Sequence, residues 1–365
     1  MENKRIWNFS AGPSVLPEEV LERAAGEMTN YEGSGMGVME MSHRSKVYDG
    51  IIKDTEAKFR EVFGIPSNYK VLFLQGGATT QFAMIPMNLL AKSGKAAYVV
   101  SGSFSGKAYK EAQKFGEIEL AATTKEEKFT RIPKQEELKF SPDADYLHIC
   151  ENNTIYGTKW YYIPETGNVP LVSDMSSCIL SEPVDVSRYG VIYAGAQKNM
   201  GPAGLTVVII REDLLYAPLP HTPVMLEYKT QAEKESMYNT PPTYGIYILG
   251  LMLDWVKENG GVEGMQKLAL ERSKMLYDFI DSSNGYYVNP NEKESRSKMN
   301  VVFRTPNEEL DAKFVKESVA AGFANLKGHK EVGGLRASMY NAMPVEGVKA
   351  LVDFMKKFME ENPVK

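Results

Sequence analysis

Residues 190–210 read GVIYAGAQKNMGPAGLTVVII and place two apolar, β-branched runs on either side of a segment of small residues around Lys198. Because the runs are apolar throughout rather than alternating, they indicate strands covered on both faces, as in an α/β sheet. Lysine usually lies on a polar surface, so its position between two buried strands indicates a closely packed ligand. A lysine withdrawn from water loses proton affinity and becomes a nucleophile toward an aldehyde. Taken alone, the segment also fits an ordinary exposed loop lysine.

Short apolar runs and helical patterns also alternate toward the N-terminus. Further strands are predicted at residues 70–74, 97–100, 146–150 and 170–174. Helical patterns follow the first two of these strands, at 79–90 and 107–115. We therefore expect a large α/β domain with a mostly parallel sheet.

The pattern changes after Asn259-Gly260-Gly261, beyond which the predicted helices are longer and short strands lie between them. At about 150 residues per domain, a chain of 365 residues is expected to form two domains. We predict an N-terminal segment over 1–15, a large α/β domain over 16–258 and a smaller α+β domain over 259–365.

The composition is that of an ordinary globular chain, with 43% hydrophobic and 24% charged residues. The 42 Lys+Arg and 47 Asp+Glu give a formal charge of −5, which argues against a dedicated nucleic-acid binder. No apolar run reaches the ~18 residues that a membrane span needs. Cys150 and Cys178 form no CxxC motif, so neither a disulfide framework nor a cysteine-rich metal site is expected, and a reducing cytoplasm is the predicted location.

Three groups at predicted strand ends together indicate one cofactor. The turn Gly76-Gly77-Ala78-Thr79-Thr80 joins a strand to a helix, where backbone N–H groups and the helix N-terminus favour an anion. Asp174 ends one strand, and Lys198 follows the next. A phosphate turn, an aspartate for a pyridinium nitrogen and a lysine for an aldehyde are the attachments of pyridoxal phosphate (PLP). Singly, each also fits a plainer role as a tight turn, a helix cap or a surface charge.

Cationic side chains near both ends of the chain form a further group. His43-Arg44 lies near the start, and Gly328-His329-Lys330 precedes Arg336 near the end. Arginine binds carboxylates through a two-pronged fork, and an arginine that enters an apolar strand requires an anionic partner. These residues are therefore candidates for binding an anionic substrate, although single Arg and His residues are most often structural.

These motifs resemble those of the phosphoserine aminotransferases, a family of class V aminotransferases and fold-type I PLP enzymes. The resemblance covers nearly the whole chain, from NFSAGP at 8–13 to YNAM at 340–343. Its most specific part is DVSRYG at 185–190 followed by AGAQKN at 194–199. The other matching segments are VMEMSHR at 38–44, NTPPT at 239–243 and LKGH at 326–329. The resemblance implies the α/β fold of type I PLP transferases, with a large sheet domain and a small C-terminal α+β domain.

The resemblance also implies which residues bind the cofactor. Lys198 corresponds to the Schiff-base lysine, and Asp174 to the partner of the pyridine nitrogen. Further cofactor contacts are implied at Ala78, Thr79, Phe104, Thr154 and Gln197. Asn239 and Thr240 correspond to residues that reach the cofactor phosphate from a second subunit, which implies a homodimer with shared active sites.

The substrate-binding positions follow in the same way. Substrate contacts are implied at Ser10, Ala11, His43, Arg44, His329, Lys330 and Arg336. Arg336 resembles the arginine that holds the α-carboxylate, whereas His43, His329 and Lys330 fall where the family grips the substrate phosphate.

The sequence departs from the family at three of these positions. Phe104 stands where the family often has a tryptophan stacked on the cofactor ring, so the stacking area is smaller. Thr79 stands where some members have an arginine. Lys330 stands where an arginine is common, so a compact ammonium replaces the planar, two-donor guanidinium. We expect these changes to alter affinity rather than reaction type.

The expected activity is therefore transfer of an amino group between glutamate/2-oxoglutarate and phosphoserine/3-phosphohydroxypyruvate, in serine biosynthesis. The nearest alternative is another class V enzyme, such as an alanine–glyoxylate or serine–pyruvate aminotransferase. A cysteine desulfurase fits less well, because that group has His where this chain has Gln197 and uses a late cysteine. A non-catalytic phosphate- or nucleotide-binding module is the alternative from another class, and a second role in pyridoxine biosynthesis is left open.

Overall fold

The computed structural model describes residues 5–363, and its architecture is mixed α/β. In chain order, the strands are β1 (Trp7–Asn8), β2 (Tyr69–Leu74), β3 (Lys95–Val100), β4 (Glu117–Thr123), β5 (Leu147–Cys150), β6 (Asn152–Asn153), β7 (Thr158–Lys159), β8 (Leu171–Asp174), β9 (Val191–Gly195), β10 (Thr206–Arg211), β11 (Asn300–Phe303), β12 (Phe323–Ala324) and β13 (Leu335–Ser338). The helices are α1 (Glu18–Gly26), α2 (Lys46–Phe63), α3 (Gly77–Leu89), α4 (Ser103–Ala112), α5 (Tyr228–Glu233), α6 (Thr243–Glu258), α7 (Gly261–Ser282), α8 (Glu308–Ala320) and α9 (Val345–Glu361).

A seven-stranded sheet in the order β2-β10-β9-β8-β5-β3-β4 forms the centre of the molecule. The pairs β3–β4, β3–β5, β5–β8 and β8–β9 are parallel, whereas β10 runs antiparallel to both β2 and β9. Strands β5, β8 and β9 are buried along their whole length, as their continuously apolar sequences predict. The predicted large and mostly parallel sheet is therefore present.

Strand β4 lies at the edge of this sheet and was not predicted from the sequence. Its residues EIELAAT include Glu117 and Glu119, and only Ala121 is buried. Such a sequence lacks the apolar run of a central strand, because one side of an edge strand faces solvent.

A separate cluster of buried side chains lies in the C-terminal part of the chain. It includes Leu276, Phe314 and Phe358 from α7, α8 and α9, and Phe303 from β11. Phe9 belongs to this cluster, and β1 pairs in parallel with β12, so the start of the described chain packs on its C-terminal part. The division at residues 15 and 258 stays a prediction.

Helix α6 carries the apolar run at 244–253, is largely buried and packs against α2. Within residues 5–363, none of the helices combines the length and the apolar character that crossing a membrane requires.

Candidate active site

The candidate residues lie at one edge of the central sheet. Asp174 is the last residue of β8, and Lys198 lies three residues beyond the end of β9. Phe104 lies in the first turn of α4, which follows β3, and Thr154 directly follows β6. Because β3, β8 and β9 are parallel, their carboxyl ends meet at this edge, where ligands of α/β sheets bind.

Lys198 lies at the centre of this group. Its Nζ donates a hydrogen bond to Thr154 Oγ1 over 2.8 Å and lies 5.0 Å from the centroid of the Phe104 ring. Gly12 packs against the lysine so closely that a Cβ at this position would lie 2.9 Å from Lys198 Cγ. Burial lowers the pKa of Lys198, and the charge of Asp174 acts in the opposite direction. The amine is therefore deprotonated more readily than that of a solvated lysine.

Asp174 is buried beside this amine. One carboxylate oxygen, Oδ1, accepts a hydrogen bond from the main-chain N–H of Ser176 over 2.9 Å. Burial raises the pKa of Asp174, while the charge of Lys198 opposes this effect. A carboxylate in this setting favours a cationic N–H partner, because a second donor would compensate its lost hydration.

The small-residue turn after β2 begins α3, as predicted. Gly76 has a φ of +90°, and a Cβ there would lie 2.1 Å from Thr80 Oγ1, so the turn requires glycine. Ala78 and Thr79 lie in the first turn of the 13-residue helix, whose N–H groups have no partner within the helix. This end of α3 can accept a phosphate.

The backbone carbonyls of Gln197 and Lys198 also accept hydrogen bonds from the N-terminal segment. Ser14 N donates to Gln197 O over 3.1 Å, and Ser14 Oγ donates to Lys198 O. No sequence pattern marks Ser14 or Ser176 as site residues, because these contacts join residues that are distant in sequence or involve only the backbone.

Arg336 reaches the same edge from β13. Its Nη1 donates to Thr154 O over 3.2 Å, so Thr154 contacts both the lysine and the arginine. Its Nε is buried and finds no hydrogen-bond partner within residues 5–363. Burial lowers the pKa of Arg336. An incompletely paired, half-buried guanidinium beside Lys198 is suited to hold a carboxylate.

His329 and Lys330 lie in the loop that precedes β13. Burial lowers the pKa of His329, as do the charges of Arg336 and Lys330, whereas Glu331 raises it. Ser10 and Ala11 are joined to this C-terminal part of the chain: Asn325 Nδ2 donates to Ser10 Oγ over 2.6 Å, and Tyr340 Oη donates to Ala11 O over 2.8 Å.

Two predicted groups lie apart from Lys198 within the single chain. His43 and Arg44 line a hollow of about 370 Å³ at the start of α2, and its other described lining residues are Ser45, Lys46, Asp49 and Met237. Asn239 lines a different hollow of about 320 Å³ that includes Gly76 and Thr80. Thr240 O accepts a hydrogen bond from Gln75 Nε2 over 3.1 Å.

Comparison with known proteins agrees with this geometry. The family model described as aminotransferase class-V matches residues 6–351. The phosphoserine aminotransferase of Laribacter hongkongensis is 56% identical and that of Lysinibacillus sphaericus 53% identical, each over 98% of this chain and 99% of its own length. The chain belongs to the phosphoserine aminotransferase family of class V aminotransferases. The predicted family, fold class and enzyme class are thereby confirmed.

Solved phosphoserine aminotransferases share the whole fold. The Bacillus circulans subsp. alkalophilus enzyme superposes with a TM-score of 0.96 at 49% identity, covering 98% of this chain and 99% of its own. The PLP-bound Trichomonas vaginalis enzyme superposes with a TM-score of 0.92 at 40% identity, covering 96% of this chain and all of its own. The predicted cofactor is thus one that this family binds.

The residues of this chain fit PLP. Lys198 offers a nucleophilic amine, and the buried Asp174 offers an acceptor for a pyridinium N–H. The N-terminus of α3 can bind the phosphate, and the Phe104 ring beside Lys198 provides a stacking surface. The chain therefore offers a group for each of the three attachments of the cofactor.

Proposed function

We propose that this chain transfers an amino group between glutamate/2-oxoglutarate and O-phosphoserine/3-phosphohydroxypyruvate in serine biosynthesis, with PLP bound to Lys198. The observation that carries the proposal is the pairing of two cationic groups beside Lys198: Arg336 next to Thr154, and the loop that bears His329 and Lys330. Two anion-binding positions suit an amino acid with a distal phosphate or carboxylate. An alanine–glyoxylate or serine–pyruvate aminotransferase requires only the first.

When bound, PLP supplies an aldehyde that bonds amines and a ring that withdraws electrons from the substrate Cα. The Nζ of Lys198 would hold the aldehyde group in the resting enzyme and would become free for proton transfer once a substrate amine is bound. The freed Nζ, whose pKa burial lowers, takes a proton from the substrate Cα and later returns one. Thr154 Oγ1 holds Nζ near its working position through the 2.8 Å hydrogen bond.

The other side chains orient the reactants. Asp174 would hold the proton on the pyridine nitrogen, and a protonated ring is the better electron acceptor. The fork of Arg336 holds the α-carboxylate and so fixes the direction of the Cα–H bond. Phe104 would provide a stacking surface for the cofactor ring, and His329 with Lys330 would bind the distal anion.

The half-reaction tests this function. The PLP-loaded enzyme is mixed with O-phosphoserine, L-glutamate or L-alanine in separate experiments, and the absorbance of the lysine-bound cofactor is followed as it converts to the amine form. We expect fast conversion with phosphoserine and glutamate and slow conversion with alanine. Fast conversion with alanine alone would favour the alternative class V activity. Lys198→Ala should abolish conversion.

We further propose a homodimer with shared active sites. The hollow that His43 and Arg44 line does not include Lys198, whereas Asn239 and Thr240 lie beside the phosphate turn of their own chain at Gly76 and Gln75. Exposed apolar side chains flank these segments in sequence. These side chains are between 37% and 60% exposed: Met36, Met39, Val47, Met225 and Tyr238. A second copy that covers them would bury apolar area and complete each site.

Mixing two inactive variants tests the shared site. Lys198→Ala lacks the nucleophile, and Asn239→Ala/Thr240→Ala lacks the residues proposed to act across the interface. If sites are shared, heterodimers formed by mixing contain one intact site and regain activity, whereas each variant alone stays impaired. No recovery in verified heterodimers would contradict the sharing. We also propose a cytoplasmic location, which the two buried free thiols of Cys150 and Cys178 support.

A further inference from the structure

Residues 328–334 form a tight loop that carries His329 and Lys330 to the mouth of the site. Gly328 N donates to Gly334 O over 2.8 Å, and Gly333 N donates to His329 O over 2.7 Å. A Cβ at Gly328 would lie 2.0 Å from Gly333 O, so the closure requires glycine. The loop is therefore braced internally, and its placement depends on how it contacts the rest of the molecule.

The side chain of Glu331 makes such a contact at the loop tip. Its Oε1 accepts a hydrogen bond from Ser103 Oγ over 3.3 Å, and its Oε2 accepts one from Tyr156 Oη over 3.4 Å. Ser103 immediately precedes Phe104, and Tyr156 lies two residues after Thr154. The carboxylate thus joins the loop to two segments that border Lys198.

The main chain of Glu331 also orients the neighbouring histidine. Glu331 N donates to His329 Nδ1 over 3.3 Å. Nδ1 therefore acts as an acceptor, which leaves the proton of the neutral ring on Nε2. A displaced Glu331 would release the loop and this ring orientation together.

We propose that Glu331 is a positioning residue that docks the 328–334 loop on Ser103 and Tyr156 and so holds His329 and Lys330 for the substrate phosphate. The inference rests on the proposed function. Its negative charge beside a phosphate site is unfavourable in principle, but the side chain is exposed to solvent, which screens the charge. Each carboxylate oxygen has a hydroxyl donor, and both contacts favour the docked position.

A mutant cycle tests the docking. Glu331→Ala removes the acceptor, Ser103→Ala/Tyr156→Phe removes both donors, and the triple variant removes all three groups. Glu126→Ala, at an exposed residue, is the matched control. Phosphoserine half-reactions give a saturating rate constant and a half-saturating concentration for each variant.

If docking acts as proposed, Glu331→Ala and the donor variant each raise the half-saturating phosphoserine concentration about fivefold, the size of a typical hydrogen-bond loss. In the triple variant, the half-saturating concentration also rises about fivefold rather than about twenty-fivefold, because all three groups form one contact. The saturating rate constant stays unchanged, since Glu331 contacts no reacting atom. Glu331→Gln, which keeps an acceptor, shows a smaller effect. An unchanged or lowered half-saturating concentration in Glu331→Ala, or effects that multiply, would overturn the proposal.

Amide hydrogen exchange provides a readout that needs no substrate. Exchange of residues 328–334 should accelerate in Glu331→Ala and in the donor variant, but not in Glu126→Ala. Wild-type exchange rates in both variants would overturn the docking. If the wild-type enzyme fails to react with phosphoserine, the proposed function fails, while hydrogen exchange still decides whether Glu331 docks the loop.

Discussion

Replacing Arg336 with lysine tests how the site recognises the α-carboxylate. Arg336→Lys keeps one positive charge but removes the planar fork. In the structure, Nη1 is committed to Thr154 O over 3.2 Å, while Nε is buried without a partner within residues 5–363. A lysine presents its three N–H donors from a single nitrogen, so it lacks the planar pair of parallel donors that matches a carboxylate while another nitrogen contacts Thr154.

The structure sets the expected magnitude. The substitution removes at least one charge-assisted hydrogen bond to the carboxylate, worth about 1.5–3 kcal/mol. We therefore expect kcat/KM to fall about 10- to 150-fold, since about 1.4 kcal/mol corresponds to a factor of ten. Every substrate amino acid carries the α-carboxylate, so the loss should be similar for phosphoserine and glutamate.

The assay compares kcat/KM for the two amino donors in the wild type and in Arg336→Lys. Arg23→Lys, in a surface ion pair with Glu27 on α1, is the matched control and should change neither value. A loss of kcat/KM confined to phosphoserine would indicate that Arg336 binds the substrate phosphate rather than the α-carboxylate. A loss below about threefold for both donors would refute the role of the fork.

Three further predictions concern individual residues of the site. The rate at which the apoenzyme bonds PLP should rise with pH through a midpoint below 10.5, because only the uncharged Lys198 amine attacks the aldehyde and burial lowers its pKa. Asp174→Asn, which removes the charge that favours the ammonium, should move this midpoint lower still, and stopped-flow absorbance that shows an upward shift would contradict it. His43→Ala and His329→Ala should reduce kcat/KM more for phosphoserine than for glutamate, and equal losses for the two donors would argue against phosphate binding. Gly76→Ala puts a Cβ 2.1 Å from a threonine hydroxyl at a φ of +90°. The free energy of unfolding, measured in urea, should therefore fall by about 1–3 kcal/mol, and an unchanged value would show that the turn does not require glycine.

The central strands and the cofactor attachments could be predicted because they depend on local patterns. Strands β5, β8, β9 and β10 are rich in apolar residues and show no polar alternation, as strands buried on both faces do. Strand β4 could not be predicted in this way, because its edge position permits charged residues such as Glu117 and Glu119. Helix α4 begins at Ser103, four residues before the predicted start. Its first turn lies beside the site and does not continue the apolar stripe from which the helix was predicted.

The residues that position the site leave no local pattern in the sequence. Asn341 N donates to Asn199 Oδ1 over 2.8 Å, and Asn341 Nδ2 donates to Leu180 O over 2.8 Å. These bonds connect the lysine loop to the segment after Arg336, across more than a hundred residues of sequence. Matching motifs contain both asparagines, but only the folded chain shows that they meet.

The sequence by itself determined the class of fold, the family and the order of turn, aspartate and lysine at the ends of three separate strands. Periodicity, side-chain size and residue type are local properties, so they can be read along the chain. Only the tertiary structure decided that Thr154 contacts both Lys198 and Arg336, that burial shifts the pKa values of Lys198 and Asp174 toward each other, and that His43 and Arg44 line a separate hollow. Contacts and desolvation arise from groups distant in sequence, and their effects exist only when the chain has packed.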